Sequence, residues 1–239
     1  MTEPRVAILL ATYRRPDLLF QTLRSLGEMT TAHSFDVIVV DNDAAGASAR
    51  EVTERAGEFT YTLKAVCEPR AGIAAARNRG LDESTEYDIV CFIDDDEQVD
   101  HDWLDRILAP LADSTIDAVS GPVDSRFAQP IPAWAHLGGF FLTPDTAEGA
   151  VVHEAATNNL AIRRAALDAS PTPRFDERFS ESGGSDIFLS SQFSASGRRI
   201  VWTNLARVSE TVPAQRCTPE WQHARQGRAP ATGLRAGRA

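Results

Sequence analysis

Three consecutive aspartates, Asp94, Asp95 and Asp96, stand in the chain with Glu97 directly behind them. Carboxylates packed this closely repel one another, so something must neutralise them. Oxygen-only ligands suit a hard divalent cation such as Mg²⁺ or Mn²⁺, and such ions commonly sit between carboxylates and substrate phosphates. A solvated acidic turn is the simpler alternative. The residues just before it weigh against that reading, because Ile89-Val90-Cys91-Phe92-Ile93 is an unbroken apolar run rich in β-branched types. Such a run reads as a short strand buried on both faces, and open α/β sheets place their ligands at the carboxyl ends of such strands. Glu97 reads as a solvated neighbour. A second acid has a different setting. Asp186 follows Gly183-Gly184-Ser185, and Phe188, Leu189, Gln192 and Phe193 behind it fit one helical face. With Ser185 as N-cap, Asp186 falls on the first turn of a helix, after a flexible diglycine turn.

The elements that must position these acids follow from the apolar pattern. Val6 to Leu10 is a buried first strand ending in Ala11-Thr12-Tyr13-Arg14-Arg15, and Pro16 and Asp17 then suit the first turn of a helix carried by Leu18, Leu19, Leu23 and Leu26. A second strand, Phe35 to Val40, closes in Asp41-Asn42-Asp43. A short helix over 48–58, a third strand from Tyr61 to Cys67, a turn at Glu68–Gly72 and an alanine-rich helix from Ile73 to Leu81 lead into the aspartate strand. Trp103 to Leu111 is helical and Ile116 to Ser120 is a further strand. Strand–helix alternation of this kind predicts an α/β fold with a doubly wound, mostly parallel sheet. Its carboxyl edge would bring Thr12, Asp41, Asp43, Asp94 and Asp96 together. The second half differs: 122–152 has no clear period and reads as a long loop, 155–163 as a strand whose start faces the site, and 199–204 as a last strand. The tail from Gln222 onward carries four arginines and no acids, and its end, 229–239, reads as disordered.

Composition narrows the function. The 239 residues with 43% hydrophobic content suit one domain with a sizeable core. A net charge of −10 argues against nucleic acid as a partner. Cys67, Cys91 and Cys217 form no Cys-x-x-Cys pair and read as free thiols in a reducing, cytoplasmic compartment. The sequence shows no signal peptide and no run approaching ~18 apolar residues. Neither glycine-rich phosphate fingerprint follows the first strand, which disfavours a dinucleotide enzyme or a P-loop protein.

In order and spacing, Ala11-Thr12-Tyr13-Arg14-Arg15, Val39-Val40-Asp41-Asn42-Asp43, Gly72-Ile73-Ala74-Ala75-Ala76-Arg77-Asn78 and Phe92-Ile93-Asp94-Asp95-Asp96 resemble family 2 glycosyltransferases of the GT-A fold. So do Asn158-Asn159, Phe175-Asp176, Gly183-Gly184-Ser185-Asp186 and Glu210-Thr211-Val212-Pro213 with Arg216. The resemblance covers about 5–228, with a nucleotide-sugar-binding half at about 5–121 and an acceptor half at about 122–228. It implies an inverting, metal-dependent transfer of a sugar from a nucleotide-diphosphate donor, by default a uridine diphosphate sugar, to a saccharide or lipid-linked acceptor in surface polysaccharide or glycolipid assembly. Donor contacts would come from Thr12, Tyr13, Arg14, Asp41, Asp43, Arg70, Arg77, Asp94 and Asp95, metal coordination from Asp96 with Asp94, and the catalytic base would be Asp186. The family usually shows Glu-Asp where this chain has Ser185-Asp186.

Simpler readings stand beside several of these. For Asp41 the simpler reading is a strand-end cap, and for Arg70 and Arg77 it is the pairing of carboxylates rather than phosphate. Trp134, Asn158 and Asn159 suit an acceptor sugar, but Trp134 could be core and the asparagines could satisfy backbone groups. The basic tail would allow contact with the inner face of a membrane. Two rival functions remain: a nucleotidyltransferase, disfavoured because Thr12 to Pro16 contains no glycine, and a non-catalytic nucleotide-sugar or carbohydrate-binding protein.

Overall fold

Apolar runs flanked by polar carboxyl ends become the central strands of a computed structural model that describes residues 3–221 apart from 128, 140, 142–144 and 181–182. In chain order the elements are β1 (Val6–Thr12), α1 (Pro16–Gly27), β2 (Phe35–Asp41), α2 (Ala47–Arg55), β3 (Thr62–Cys67), α3 (Ile73–Glu83), β4 (Ile89–Ile93) and β5 (Glu97–Val99). There follow α4 (Trp103–Leu108), β6 (Ala118–Ser120), β7 (Val123–Phe127), α5 (Ala133–Leu137), β8 (Val151–Val152), β9 (Asn159–Arg163), α6 (Arg164–Asp168), α7 (Ser185–Ala195), β10 (Ile200–Trp202) and β11 (Val208–Val212).

The main sheet runs β3-β2-β1-β4-β9-β6-β10-β8. Strands β3, β2, β1 and β4 are mutually parallel, and β9 enters antiparallel between β4 and β6. Because β9 is reversed, its first residue, Asn159, pairs with Ile93, the last residue of β4. Carboxyl ends of four strands and the start of a fifth thus share one edge. Both faces are covered: α1 and α4 supply Leu19, Leu23, Trp103 and Ile107 to one side, and α3, α6 and α7 supply Ala74, Leu81, Leu167 and Phe193 to the other. Burial on both faces is why β1 and β4 read as unbroken apolar runs.

Four local expectations are corrected. The segment 122–152 is not one long loop: β7, α5 and β8 lie within it. β7 joins β11 and β5 in a separate three-stranded sheet. Its sequence, Val-Asp-Ser-Arg-Phe, has too few apolar residues to read as a buried strand. Glu97 is not solvated; it is 2% exposed and opens β5. The 155–163 strand begins only at Asn159, and the preceding residues run along α7 instead. Ser185 is not the N-cap of α7. Gly184, at φ 89°, takes that position, a left-handed conformation that strains any side chain, and Ser185 becomes the first helical residue. The tail from Gln222, with His223, lies outside the described residues.

Candidate active site

At the shared edge the aspartates separate by environment. Asp95 is fully buried, accepts the Thr12 hydroxyl at 2.6 Å and pairs with Arg15 Nη2 at 2.5 Å. Burial pushes its carboxyl up to about 6, while Arg15 and Thr12 pull the other way. It is a strut under the site, and Thr12 is held with it. Asp96 points to a different environment, accepting from Arg15 Nη1 at 2.9 Å and Arg216 Nη2 at 3.4 Å. Asp94 accepts from Arg77 Nη2 at 3.2 Å. Its carboxyl is raised, first by desolvation, against the pull of Arg77, with Asp96 and Asp186 adding repulsion. Asp186 on α7 is therefore an electrostatic neighbour of Asp94, although 92 positions separate them in the chain.

Glu97 lies beneath this group. Its Oε2 accepts the backbone N–H of Asp94, and burial, then Asp94, raise its pKa well above the usual carboxylate range. Across the small sheet it faces Glu210, which accepts from Ser125 and Arg216. A period-two strand signal over Glu97-Gln98-Val99 is too short to have revealed this. Arg15 was equally hidden, since nothing in Tyr13-Arg14-Arg15 distinguishes the arginine that turns inward.

Beside the aspartates lies a cleft of about 330 Å³ lined by Thr12, Tyr13, Arg15, Asn42, Gly72 and Ile73. That volume falls in the range of small-molecule sites. Asn42, which the sequence reading passed over, builds its wall. The side-chain amide donates to the carbonyls of Glu68 and Arg70 and accepts from Gly72 N, fixing 68–72 against the end of β2. At the rim, Arg14 adopts φ 54°, stacks on Tyr13 at 4.9 Å and forms a two-toothed pair with Asp43. That pair holds the Asp43 carboxyl below its usual range. Tyr13, Arg14 and Asp43 are thus brought to one rim.

Other candidates go elsewhere. Asp41 is fully buried and its two oxygens accept the N–H groups of Asp43 and Ala49, so it caps the start of α2. Arg70 embraces Glu68 and reaches Glu177, holding carboxylates as the simpler reading had it. Asn159 is fully buried: its Oδ1 accepts from Trp103 Nε1 at 2.9 Å, and its Nδ2 donates to Pro122 O and Ala206 O. That occupancy removes Asn159 from acceptor contact. Asn158, half-buried, sits at the same edge, and Trp134 is half-buried on α5.

The donor set can be tested against a metal. Among the described residues no group of three or more His, Cys, Asp or Glu side chains is placed to hold an ion alone. Two adjacent, mutually repelling carboxylates, Asp94 and Asp96, do fit Mg²⁺ or Mn²⁺, which take one or two carboxylates and fill the remaining positions with water and substrate phosphate.

A doubly wound sheet with an antiparallel strand inserted beside β4, an acidic edge and a nucleotide-sized cleft defines a GT-A-type transferase. The glycosyl transferase family 2 model matches residues 7–170. The succinoglycan biosynthesis protein ExoM of Rhizobium meliloti (strain 1021) is 36% identical over 213 residues, covering 88% of this chain and 68% of that protein. The putative glycosyltransferase EpsH of Bacillus subtilis (strain 168) is 27% identical over 115 residues, 48% of this chain and 33% of that one. Among solved structures, the mannosyltransferase PcManGT from Pyrobaculum calidifontis, in complex with GDP-Man and Mn²⁺, superposes with a TM-score of 0.65 at 23% identity, over 89% of this chain and 58% of that one. TarS of S. aureus gives 0.64 at 16% identity, over 87% and 37%. The chain belongs to glycosyl transferase family 2 and is a glycosyltransferase. The structural likenesses show the GT-A fold, and this chain spans little more than half of the mannosyltransferase chain it matches.

Proposed function

We propose that the protein is an inverting, metal-dependent glycosyltransferase that moves a sugar from a nucleotide-diphosphate donor to a saccharide or lipid-linked acceptor in polysaccharide biosynthesis. The observation that carries this reading is that Asp94, at the carboxyl edge of the sheet, is within charge-repulsion range of both Asp96 and Asp186 on α7, beside the cleft lined by Tyr13 and Asn42. In this reading the nucleoside occupies that cleft, against Thr12, Tyr13, Arg14 and Asp43. Asp94 receives the donor, and Asp96 with Asp94 holds Mg²⁺ or Mn²⁺. Held there, such an ion would supply positive charge against the departing diphosphate. Arg15, Arg77 and Arg216, each paired with one of these aspartates, supply forked donors that suit phosphate oxygens as well as carboxylates. Asp186 takes the proton from the acceptor hydroxyl as that oxygen attacks the anomeric carbon opposite the diphosphate.

Polysaccharide biosynthesis is supported by the name of the 36%-identical relative, a succinoglycan biosynthesis protein. Uridine diphosphate is the default donor nucleotide, whereas the mannosyltransferase neighbour holds GDP-Man. Among the described residues no helix is long and apolar enough to cross a membrane. A cytoplasmic setting, with peripheral contact through the basic tail, belongs to the same proposal. A thermal-shift panel of nucleoside diphosphates with and without Mn²⁺ tests it. Stabilisation by one nucleotide, larger with Mn²⁺, is expected; no stabilisation by any would overturn the donor reading.

A further inference from the structure

Thr157, just before β9, is 1% exposed and its Oγ1 has no hydrogen-bond partner. A buried hydroxyl left without a partner costs about 1–3 kcal/mol, so its retention calls for a group that answers it. It lines a small cavity with about 10 Å³ open to the centre of a water molecule. That is room for one oxygen atom. Arg77 and Asp94 supply the charged part of its wall, and apolar residues such as Leu9, Val40 and Phe92 supply most of the rest.

The chain leading to Thr157 runs along α7. His153 Nδ1 meets Ser194 Oγ at 2.9 Å, and Ala155 N donates to Ser190 Oγ at 2.9 Å. Asp186 stands four residues before Ser190, at the start of α7. At the same end of α7, Ser185 Oγ is also buried and also lacks a hydrogen-bond partner. The cavity itself lies at the carboxyl end of β4, beside Asp94 and Arg77.

We propose that Thr157 is a specificity-determining contact for the sugar being transferred: its hydroxyl, in a one-oxygen cavity beside Asp94 and Arg77, exchanges a hydrogen bond with one hydroxyl of that sugar. The inference rests on the donor reading above and deepens it. The same chemistry would suit a fixed water, and the two sources give different results. The kcat/KM of wild type and Thr157→Val is measured on a nucleotide-diphosphate hexose that the enzyme turns over and on each of its monodeoxy analogues. A sugar contact predicts a loss of about 10- to 100-fold for the variant on the parent donor. One deoxy analogue then shows no difference between the two enzymes, while the affinity for the nucleoside diphosphate alone stays unchanged. An equal loss on every analogue assigns the cavity to a fixed water and overturns the inference. Should the valine variant not fold, Thr157→Ala gives the same comparison without adding bulk. A wild-type enzyme that turns over no nucleotide-diphosphate sugar overturns the donor reading itself, and this inference with it.

Discussion

Replacing Asn159 with alanine separates a structural amide from a substrate contact. The side chain makes three buried hydrogen bonds, to Trp103 Nε1, Pro122 O and Ala206 O, at 2.7–2.9 Å. Truncation leaves an indole N–H and the Ala206 carbonyl without these partners, while the Pro122 carbonyl keeps the Val208 N–H, in a place where Gly121 already leaves no spare room: a Cβ there would lie 2.5 Å from Ala206 O. Each buried group left unsatisfied costs about 1–3 kcal/mol, with carbonyls at the low end because they have a second lone pair. The sum is about 4 kcal/mol. For a chain of this size that is a fall of about 8–16 °C in Tm. Thermal unfolding followed by circular dichroism reads the shift, and steady-state kinetics well below the transition read the substrate side. There the acceptor KM should stay within about threefold of wild type. A Tm within about 2 °C of wild type, together with a tenfold higher acceptor KM, would refute the reasoning and return Asn159 to the acceptor site.

Asp95 predicts a pH dependence. Its folded-state pKa of about 6 exceeds the ordinary value of 3.8, so folding favours the protonated form and stability falls as pH rises from about 4 to 6. Relative to Asp95→Asn, the metal-free wild type should lose up to about 3 kcal/mol between pH 4 and 7 in denaturant titrations. A difference that stays flat across that range would contradict the buried, charge-penalised carboxyl. Arg70→Met tests the reassignment of Arg70 from donor contact to ion pair. The pair with Glu177 is largely exposed, 58% and 42%, but the variant also leaves the buried Glu68 carboxylate without its partner, so the stability loss should be about 1–3 kcal/mol. Calorimetry should find nucleoside diphosphate affinity within about threefold of wild type; a tenfold loss would restore Arg70 to the donor site.

The parts of the fold that were legible are those whose apolar pattern is forced by burial on both faces. β1, β2, β4 and the helices between them announce themselves, and with them the carboxyl edge where the aspartates gather. The small sheet was not legible, because β5 and β7 mix charged and polar residues and gain their hydrogen bonds only by meeting β11, about a hundred residues later. Residue type marked the acids of the edge correctly as a group but could not divide them. Asp95 and Asp96 are neighbours in sequence, yet one is sealed beneath Thr12 and Arg15 and the other faces Arg15 and Arg216. The same limit applies to Asn158 and Asn159. Alternation sends one toward the edge and the other into the core, and only the position of Trp103 decides which. Thr157 went unread as a site residue because an unpartnered hydroxyl is a property of its surroundings, not of its type.

The central claim is that the acid beside Asp94 on α7 removes the acceptor proton. Asp186→Asn keeps the side chain's size and its carbonyl oxygen, which can still accept the Ile187 N–H at the helix start. It takes away the basic carboxylate. Sugar transfer, measured as nucleoside diphosphate release with acceptor present, should fall by about 10²- to 10⁴-fold while nucleoside diphosphate affinity stays within about threefold. Transfer within about tenfold of wild type would contradict the account.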